Sequence, residues 1–272
     1  MSSDRDGAVP GPQTLFVSHG GGPSPLLGDP GHADMIRCMA QLSRHVRRPQ
    51  GIVVVSAHWE ADVPSLTSAA QPGLIYDYSG FPPESYALEY PAPGAPALAA
   101  RLDHALREAG FAPRLDSQRG FDHGLFVPLK MLFPQADIPC IQVSLMSSLD
   151  AAAHYALGVA LGRALDPEIL LLGSGFSFHN LRAFLTRANE QQREWNLEFE
   201  AWLIETCSSE ALSEAQRQAR LVDWATAPGA RFCHPREEHL LPIHVCAGAA
   251  RRPCSRVFEL QIMGLKSSMY LW

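Results

Sequence analysis

The sequence lacks several features that mark common classes of protein. It has only two lysines, and its 22 basic and 28 acidic residues give a net charge of −6 without any block of like charge. Because binding to a phosphate backbone needs a concentrated positive surface, we expect no nucleic-acid partner. No apolar run approaches the ~20 residues of a membrane span, and the polar start of the chain lacks the apolar stretch of a signal peptide. We therefore expect a soluble protein in the cytoplasm, without a membrane partner.

The cysteines also lack a recognisable pattern. None of the six belongs to a CxxC pair, and they are spread over 272 residues. This spacing argues against a disulfide framework and against a thiolate zinc site, so we expect reduced thiols. The chain does contain 46% hydrophobic and 18% charged residues without a low-complexity tract. That composition is typical of a globular protein with a sizeable core.

Apolar runs alternate with segments of helical spacing along the chain. Residues 51–57 form a continuous, mostly β-branched run, typical of a strand buried on both faces of a parallel sheet. The same criteria predict further strands over 14–18, 138–145, 168–175 and 255–265. Predicted helices cover 96–110, 150–165, about 180–207 and about 209–225. The segment 76–96, rich in proline, glycine and aromatic residues, is predicted to be a long ordered loop.

The order of these elements favours one domain. After a polar leader over 1–13, no internal repeat or linker divides residues 14–272. We predict a single α/β domain with a mainly parallel central sheet flanked by helices. Three of its strands are each followed by a histidine, namely His19, His58 and His179. Open α/β folds bind their ligands at the carboxyl ends of the strands, so we expect a site there.

The chain has 11 histidines, and five of them have contexts that suggest a shared site. His19 precedes three glycines, His58 ends a buried strand, and His179 precedes Asn180, a residue suited to capping a helix. The other two candidates are His123, between Asp and Gly, and His239, after two glutamates. A single histidine is more often a hydrogen-bonded structural side chain than a ligand. We expect that structural role for His32, His45, His104, His154, His234 and His244.

A set of histidines has a defined chemistry. Neutral imidazole binds Zn, Fe, Cu and Ni, and two histidines with a third N or O ligand and open positions describe both catalytic zinc and non-haem Fe(II) sites. The sequence has no HExxH helix of the zinc proteases. These patterns leave the metal and the reaction open.

Seven short segments, in order and in register, resemble the DOPA-dioxygenase-type branch of the class III (LigB-like) extradiol ring-cleaving dioxygenases. They are HGGGP at 19–23, SAHW at 56–59, YDYSGFP at 76–82, YPAPG at 90–94, GFDHG at 120–124, SGFSFHNL at 174–181, and Glu238-His239 with Pro242. The resemblance implies that 14–272 is a single catalytic domain with a mononuclear metal held by His19, His58 and His239. It places His179 beside the metal as an acid/base or a fourth ligand, and His123 over the substrate.

The resemblance also implies the cofactor and the substrate class. Better-studied class III enzymes complete their metal site with a glutamate, whereas the match offers His239, with Glu237 and Glu238 as alternatives. Fe(II) is the metal expected for catalysis, and Zn(II) is the alternative as bound metal. The expected partners are a small catechol-type aromatic and O2, and an oligomer is left open. Tyr76 and Phe81, together with Tyr78 and Tyr90, are candidates to contact the ring, and packing within the proline-rich loop is the alternative role for these four side chains.

Three functions remain as alternatives at this stage. In the first, an extradiol dioxygenase, His179 takes a phenolic proton from the catechol, and His179 or His123 later returns a proton. In the second, zinc polarises a carbonyl and activates water in a hydrolase. In the third, the protein is a metal-binding interaction protein without dioxygenase activity. The sequence favours the first.

Overall fold

The computed structural model of the protein describes residues 11–272, so most of the predicted 1–13 leader lies outside the described residues. Within them, eight strands form one mixed sheet in the order β4-β3-β5-β2-β6-β1-β8-β7. The strands are β1 (Gln13–Ser18), β2 (Gly51–Ala61), β3 (Ser65–Thr67), β4 (Arg114–Asp116), β5 (Cys140–Met146), β6 (Ile169–Gly175), β7 (Arg256–Ile262) and β8 (Leu265–Leu271).

The four central strands β5, β2, β6 and β1 are mutually parallel, as the apolar runs predict. Their side chains alternate between two cores: Leu15 and Val17 pack on one face of the sheet, and Phe16 packs on the other. Both faces are therefore covered, which explains the continuous apolar sequences of these strands. The predicted single-domain α/β fold is confirmed.

Nine helices flank the sheet among residues 11–272. They are α1 (Ala33–Leu42), α2 (Pro96–Glu108), α3 (His123–Leu132), α4 (Ala151–Ala164), α5 (Leu181–Thr186), α6 (Glu190–Ser208), α7 (Glu214–Val222), α8 (Ala230–Cys233) and α9 (Leu241–Ala250). Helices α1 and α3 cover one face, and α2, α4, α6 and α9 cover the other. In the part of the chain that the structure describes, no helix has the length and apolarity needed to span a membrane.

The prediction of one helix over about 180–207 is wrong in one respect, because the segment forms two helices. Asn180 caps α5 by accepting a hydrogen bond from the Ala183 N–H, as its position before the helix suggested. The backbone then turns at Arg187, where φ is +55°. Asn189 starts α6 with a reciprocal capping box to Gln192. The break places α5, a helix of six residues, beside the carboxyl ends of the strands.

Candidate metal centre

The carboxyl ends of the central strands surround a cavity of about 480 Å³. All five histidines selected from the sequence contribute to its wall: His19, His58, His123, His179 and His239. Residues separated by up to 220 positions therefore gather at the edge of the sheet where α/β folds bind ligands.

His19 directly follows β1, and its side chain is buried at 1% exposure. Its Nδ1 lies 2.9 Å from the Ser174 hydroxyl, and that hydroxyl in turn donates to the Gly124 carbonyl. Because the hydroxyl has one proton and gives it to a carbonyl, it must accept from His19 Nδ1–H. The unprotonated nitrogen of His19 is therefore Nε2, which is free to bind a metal.

The glycine loop after His19 is held tightly by another histidine. The Gly21 N–H donates to His32 Nε2 at 3.0 Å, and His32 Nδ1 donates to Asp29 at 2.6 Å. Gly20 has a φ of +83°, and a Cβ there would lie 2.8 Å from the His32 ring. Glycine is therefore required at this position. His32 thus has a structural role, as expected, but it performs that role from a buried position.

His58 reaches the cavity through an irregularity in β2. Ser56 pairs with Ser144 on β5, whereas Glu60 pairs with the next residue, Leu145, so three residues of β2 bulge out of register. Such bulges redirect side chains beside active sites. The sequence predicted that the strand ends before His58, but it continues to Ala61 and carries His58 within the bulge.

The Nε2 atoms of His58 and His19 lie 3.0 Å apart. Two nitrogens bound at about 2.1 Å to one metal ion, at right angles to each other, would be about 3.0 Å apart. The separation therefore fits a shared cation. His123 adjoins the same pair, and its ligand nitrogen lies within 4.8 Å of both.

His239 and His179 share a single carboxylate. Glu238 Oε1 lies 2.8 Å from His239 Nδ1 and 3.2 Å from His179 Nδ1, and the two rings stack with centroids 3.4 Å apart. Burial disfavours the ionised carboxylate, but the contacts with the two imidazoles outweigh it and hold the Glu238 pKa well below its usual value. An ionised carboxylate at Nδ1 orients an imidazole so that its Nε2 can serve as a ligand.

His123 is the first residue of α3 rather than part of a simple turn. Asp77 accepts hydrogen bonds at one oxygen from both the backbone N–H and the Nδ1 of His123, at 3.0 and 2.8 Å. Its second oxygen lies 3.8 Å from His58 Nδ1, too far for a hydrogen bond. Asp77 therefore fixes His123 from the 76–96 loop.

Three of the histidines are in surroundings that favour the neutral ring. Burial, together with the neighbouring imidazoles, lowers the pKa of His19 and His58 well below the ordinary value and lowers that of His239 to about 3. Metal ions bind neutral imidazole, so little protonation has to be reversed on binding. The donor set of His19, His58 and His239 fits a divalent first-row metal ion.

Two of the four aromatic side chains predicted to contact the ring lie in the cavity wall. Phe81 and Tyr78 line the cavity together with Phe176 and Phe184. Tyr76 does not: its hydroxyl donates to the Leu88 carbonyl at 2.7 Å, and it packs against Phe126 on the far side of Tyr78.

Tyr90 is buried elsewhere, with its hydroxyl on the Phe133 carbonyl. The loop has no sequence period that would have shown which of its aromatics face the site. Sequence reasoning also missed Asp77 and Ser174, whose roles depend on histidines 46 and 155 residues away.

The family match covers the part of the chain that contains all five histidines. A profile of the family described as "Catalytic LigB subunit of aromatic ring-opening dioxygenase" matches residues 14–263. The dioxygenase tasH of Hapsidospora irregularis is 39% identical over 100% of this chain and 87% of its own length.

Two relatives named 4,5-DOPA dioxygenase extradiol are also similar. That of Beta vulgaris is 34% identical over 88% of this chain and 87% of its own, and that of Escherichia coli K12 is 36% identical over 86% and 84%. The crystal structure of the uncharacterized protein JW3007 from Escherichia coli K12 aligns with a TM-score of 0.75 at 31% identity, over 95% of this chain and 98% of that chain.

Proposed function

Since the chain belongs to the LigB family of aromatic ring-opening dioxygenases and is a non-haem extradiol dioxygenase, we propose that its substrate is a catechol and that His19, His58 and His239 hold Fe(II). The observation that carries the ligand assignment is the fixed proton position on two of the three rings. Ser174 occupies Nδ1 of His19, and Glu238 occupies Nδ1 of His239. Both Nε2 atoms are thereby left as ligands.

The metal is named from the chemistry that the reaction needs. When bound, Fe(II) supplies a Lewis acid for the catechol oxygens and a redox couple that lets O2 react, whereas Zn(II) supplies only the Lewis acid. Zinc binds the same neutral nitrogen donors, so it is the competing metal during purification. Iron is therefore the catalytic metal in this proposal.

His179 is assigned to proton transfer. With Nδ1 held 3.2 Å from Glu238, its other nitrogen can take a phenolic proton as the catechol binds. His179 can then return a proton as the O–O bond breaks, so that the side chain ends in its starting form. The stacked position against His239 keeps it beside the metal ligands, where a fourth-ligand role is the alternative.

His123 is assigned to the substrate. It is the first residue of α3, and its ring centroid is 3.9 Å from that of His58 and 5.5 Å from that of His19. Because Asp77 accepts from its Nδ1–H, Nε2 is the nitrogen available to a substrate oxygen. His123 would thus hold and orient one oxygen of the ring, while Tyr78 and Phe81 enclose the carbon face.

The overall reaction inserts both atoms of O2 at a ring bond next to the two hydroxyl-bearing carbons. One cleaved carbon becomes a carboxylate and the other an aldehyde, so the product is a ring-opened semialdehyde. The hydrolase and non-enzymatic alternatives receive no support from the relatives named above, which are dioxygenases. The cytoplasmic location stays a prediction from the sequence.

Oxygen uptake tests the proposed function. Protein loaded with Fe(II) under anaerobic conditions should consume O2 when given substituted catechols, and the His179→Ala variant should consume it at least a hundredfold more slowly while retaining its iron. The proposal is contradicted if no catechol in the panel supports uptake. It is equally contradicted if the zinc form hydrolyses esters or amides at a rate that does not depend on O2.

A further inference from the structure

We propose that the catechol substrate carries an uncharged, apolar substituent and not the zwitterionic side chain of an amino acid. The inference rests on the proposed cleavage of a catechol and concerns the part of the cavity beyond the histidines. It follows from which side chains form that part of the wall, which polar atoms among them are already bonded, and what surrounds the entrance.

Beyond the five histidines and the glycine loop, the wall is apolar. The remaining lining residues are Tyr78, Phe81, Phe176, Leu181, Phe184, Leu185 and Met263. Among residues 11–272, no lysine, arginine, aspartate, glutamate, serine or threonine lines this cavity. A substituent that points away from the metal ligands therefore meets carbon atoms.

The polar groups nearest to this wall either are hydrogen-bonded within the protein or lie outside the cavity lining. The Tyr78 hydroxyl donates to the Ser85 carbonyl at 2.6 Å. Asp77 and Glu238 direct their carboxylates at the Nδ1 atoms of the histidines. Neither carboxylate lines the cavity, so a substrate ammonium would meet no acidic side chain in this wall, and a substrate carboxylate would meet no lysine or arginine.

The entrance is apolar as well. Leu181 and Leu185 lie one turn apart on α5 and are 62% and 84% exposed, and Met263 is 45% exposed on the facing turn between β7 and β8. Met263 has a φ of +51°, and its N–H donates to the Gly31 carbonyl at 2.8 Å, which fixes the turn. Large exposed hydrophobic side chains grouped at a cavity mouth mark a binding surface for apolar groups.

These features make charge in the substituent costly and length favourable. A carboxylate moved from water into an apolar wall without a partner loses its hydration and gains nothing in return. Each buried methylene, in contrast, should tighten binding by about fourfold. The relatives named as DOPA dioxygenases would act on a catechol whose side chain is charged, so this chain is inferred to differ from them in substrate.

Binding to zinc-loaded protein without O2 tests the inference independently of turnover. Calorimetry would compare catechol, 4-methylcatechol, 4-ethylcatechol and 4-propylcatechol with L-DOPA and with 3-(3,4-dihydroxyphenyl)propionate. The Kd should fall by about fourfold with each methylene. The propionate, which matches 4-propylcatechol in length but ends in a carboxylate, should bind at least tenfold more weakly. Equal or tighter binding of the propionate or of L-DOPA overturns the inference.

A charge placed at the entrance provides the matched comparison. Leu185→Arg would add a cation beside the substituent, and Leu197→Arg would add one at a leucine on α6 that is 53% exposed and outside the cavity. The ratio of the 4-propylcatechol Kd to the propionate Kd should rise at least fivefold in Leu185→Arg and stay unchanged in Leu197→Arg. The same ratio in both variants overturns the inference.

The two proposals fail in different ways. If the proposed function is wrong, the metal-loaded protein binds none of the catechols more tightly than the metal-free protein does. If the proposed function is right but the inference about the substituent is wrong, catechols still bind in a metal-dependent way and the charged catechols bind best. For the same compounds, the kcat/KM values of the iron-loaded protein should follow the same order as their binding affinities for the zinc-loaded protein.

Discussion

Glu238 and His239 are adjacent in the chain, and the carboxylate Oε1 of the first lies 2.8 Å from the ring Nδ1 of the second. The same oxygen lies 3.2 Å from His179 Nδ1. The carboxylate that the sequence left as an alternative ligand is therefore engaged with the far side of two imidazoles. Glu238 therefore holds both rings in place. Substitution of a residue in this role has a different effect from substitution of a metal ligand.

Replacing Glu238 by Gln should weaken metal binding without abolishing it. The amide keeps the size of the side chain but loses the charge that fixes the two Nδ1 protons, and loss of such a partner typically costs 10–100-fold in metal affinity. Competition with a chelator would measure the change for zinc and for iron. Glu237→Gln is the control, because Glu237 pairs instead with Arg231 at 2.7 Å. Equal losses in both variants, or complete loss in Glu238→Gln, would argue against the positioning role.

Replacing His239 and His123 by Ala should separate ligation from substrate binding. Among residues 11–272, two groups of side chains could hold an ion: His123 belongs to the one with His19 and His58, and His239 belongs to the one with His179 and Glu238. We expect His239→Ala to lose the metal and His123→Ala to keep it while its turnover falls at least a hundredfold. Elemental analysis after dialysis decides this. Retention of a full equivalent of metal by His239→Ala would contradict the ligand set.

Two aromatic side chains of one loop should respond differently to substitution. Phe81→Ala removes a wall of the cavity and should raise KM for catechols several-fold, whereas Tyr76→Phe should leave KM unchanged. Tyr76→Phe should instead lower the free energy of unfolding by about 1 kcal/mol, since it deletes the hydrogen bond to the Leu88 carbonyl. Steady-state kinetics and urea titrations report the two effects. An increase in KM in the Tyr76→Phe variant would instead support the contact between Tyr76 and the substrate that the sequence predicted.

A buried carboxyl that does not line the cavity should make stability fall as pH rises. Glu200 is completely buried and accepts from the Ser268 hydroxyl at 2.5 Å, and burial raises its pKa from 4.5 to about 7. Between these two values the folded state holds a proton that the unfolded state has released. This site's contribution to the free energy of unfolding is therefore lost as pH rises through that interval, by about 2–3 kcal/mol between pH 5 and pH 8.

Glu200→Gln should remove that part of the pH dependence. Urea titrations at pH 5 and pH 8 would show the variant gaining stability relative to the native chain at the higher pH. Glu205→Gln is the control on the same helix, because Glu205 is exposed and pairs with Arg220. A difference between Glu200→Gln and the native chain that is the same at both pH values would show that Glu200 is ionised in the folded protein throughout.

The sequence predicted the parts of the site that follow from local pattern. His19, His58 and His179 each come after an apolar run, and parallel strands bring such positions to one edge. Local context also selected His123 and His239, which lie in segments without a strand pattern, and the resemblance then gave these two histidines their roles. The five side chains do line one cavity.

The rest depended on contacts between distant segments. Tyr76 and Tyr78 both pack on Phe126, but of the two only Tyr78 lines the cavity, and no local rule in the sequence distinguishes them. The positive φ of Arg187 carries no sequence signal, but Asn189 and Gln192 have the spacing of a capping box, and this signal for the start of a second helix was missed. The interruption of the helix at Arg187 sets the position of Leu185 at the cavity entrance, so the apolar nature of the entrance became visible only in the structure.

In the proposed reaction, this chain opens a catechol ring with both atoms of O2 at a site held by His19, His58 and His239. Mass spectrometry of the product formed by iron-loaded protein from 4-propylcatechol under ¹⁸O2 tests it most directly. We predict a ring-opened semialdehyde that has gained both oxygen atoms of one O2 molecule, cleaved beside the diol and not between its two carbons. A dicarboxylic product cleaved between them, or no incorporation of labelled oxygen, would contradict it.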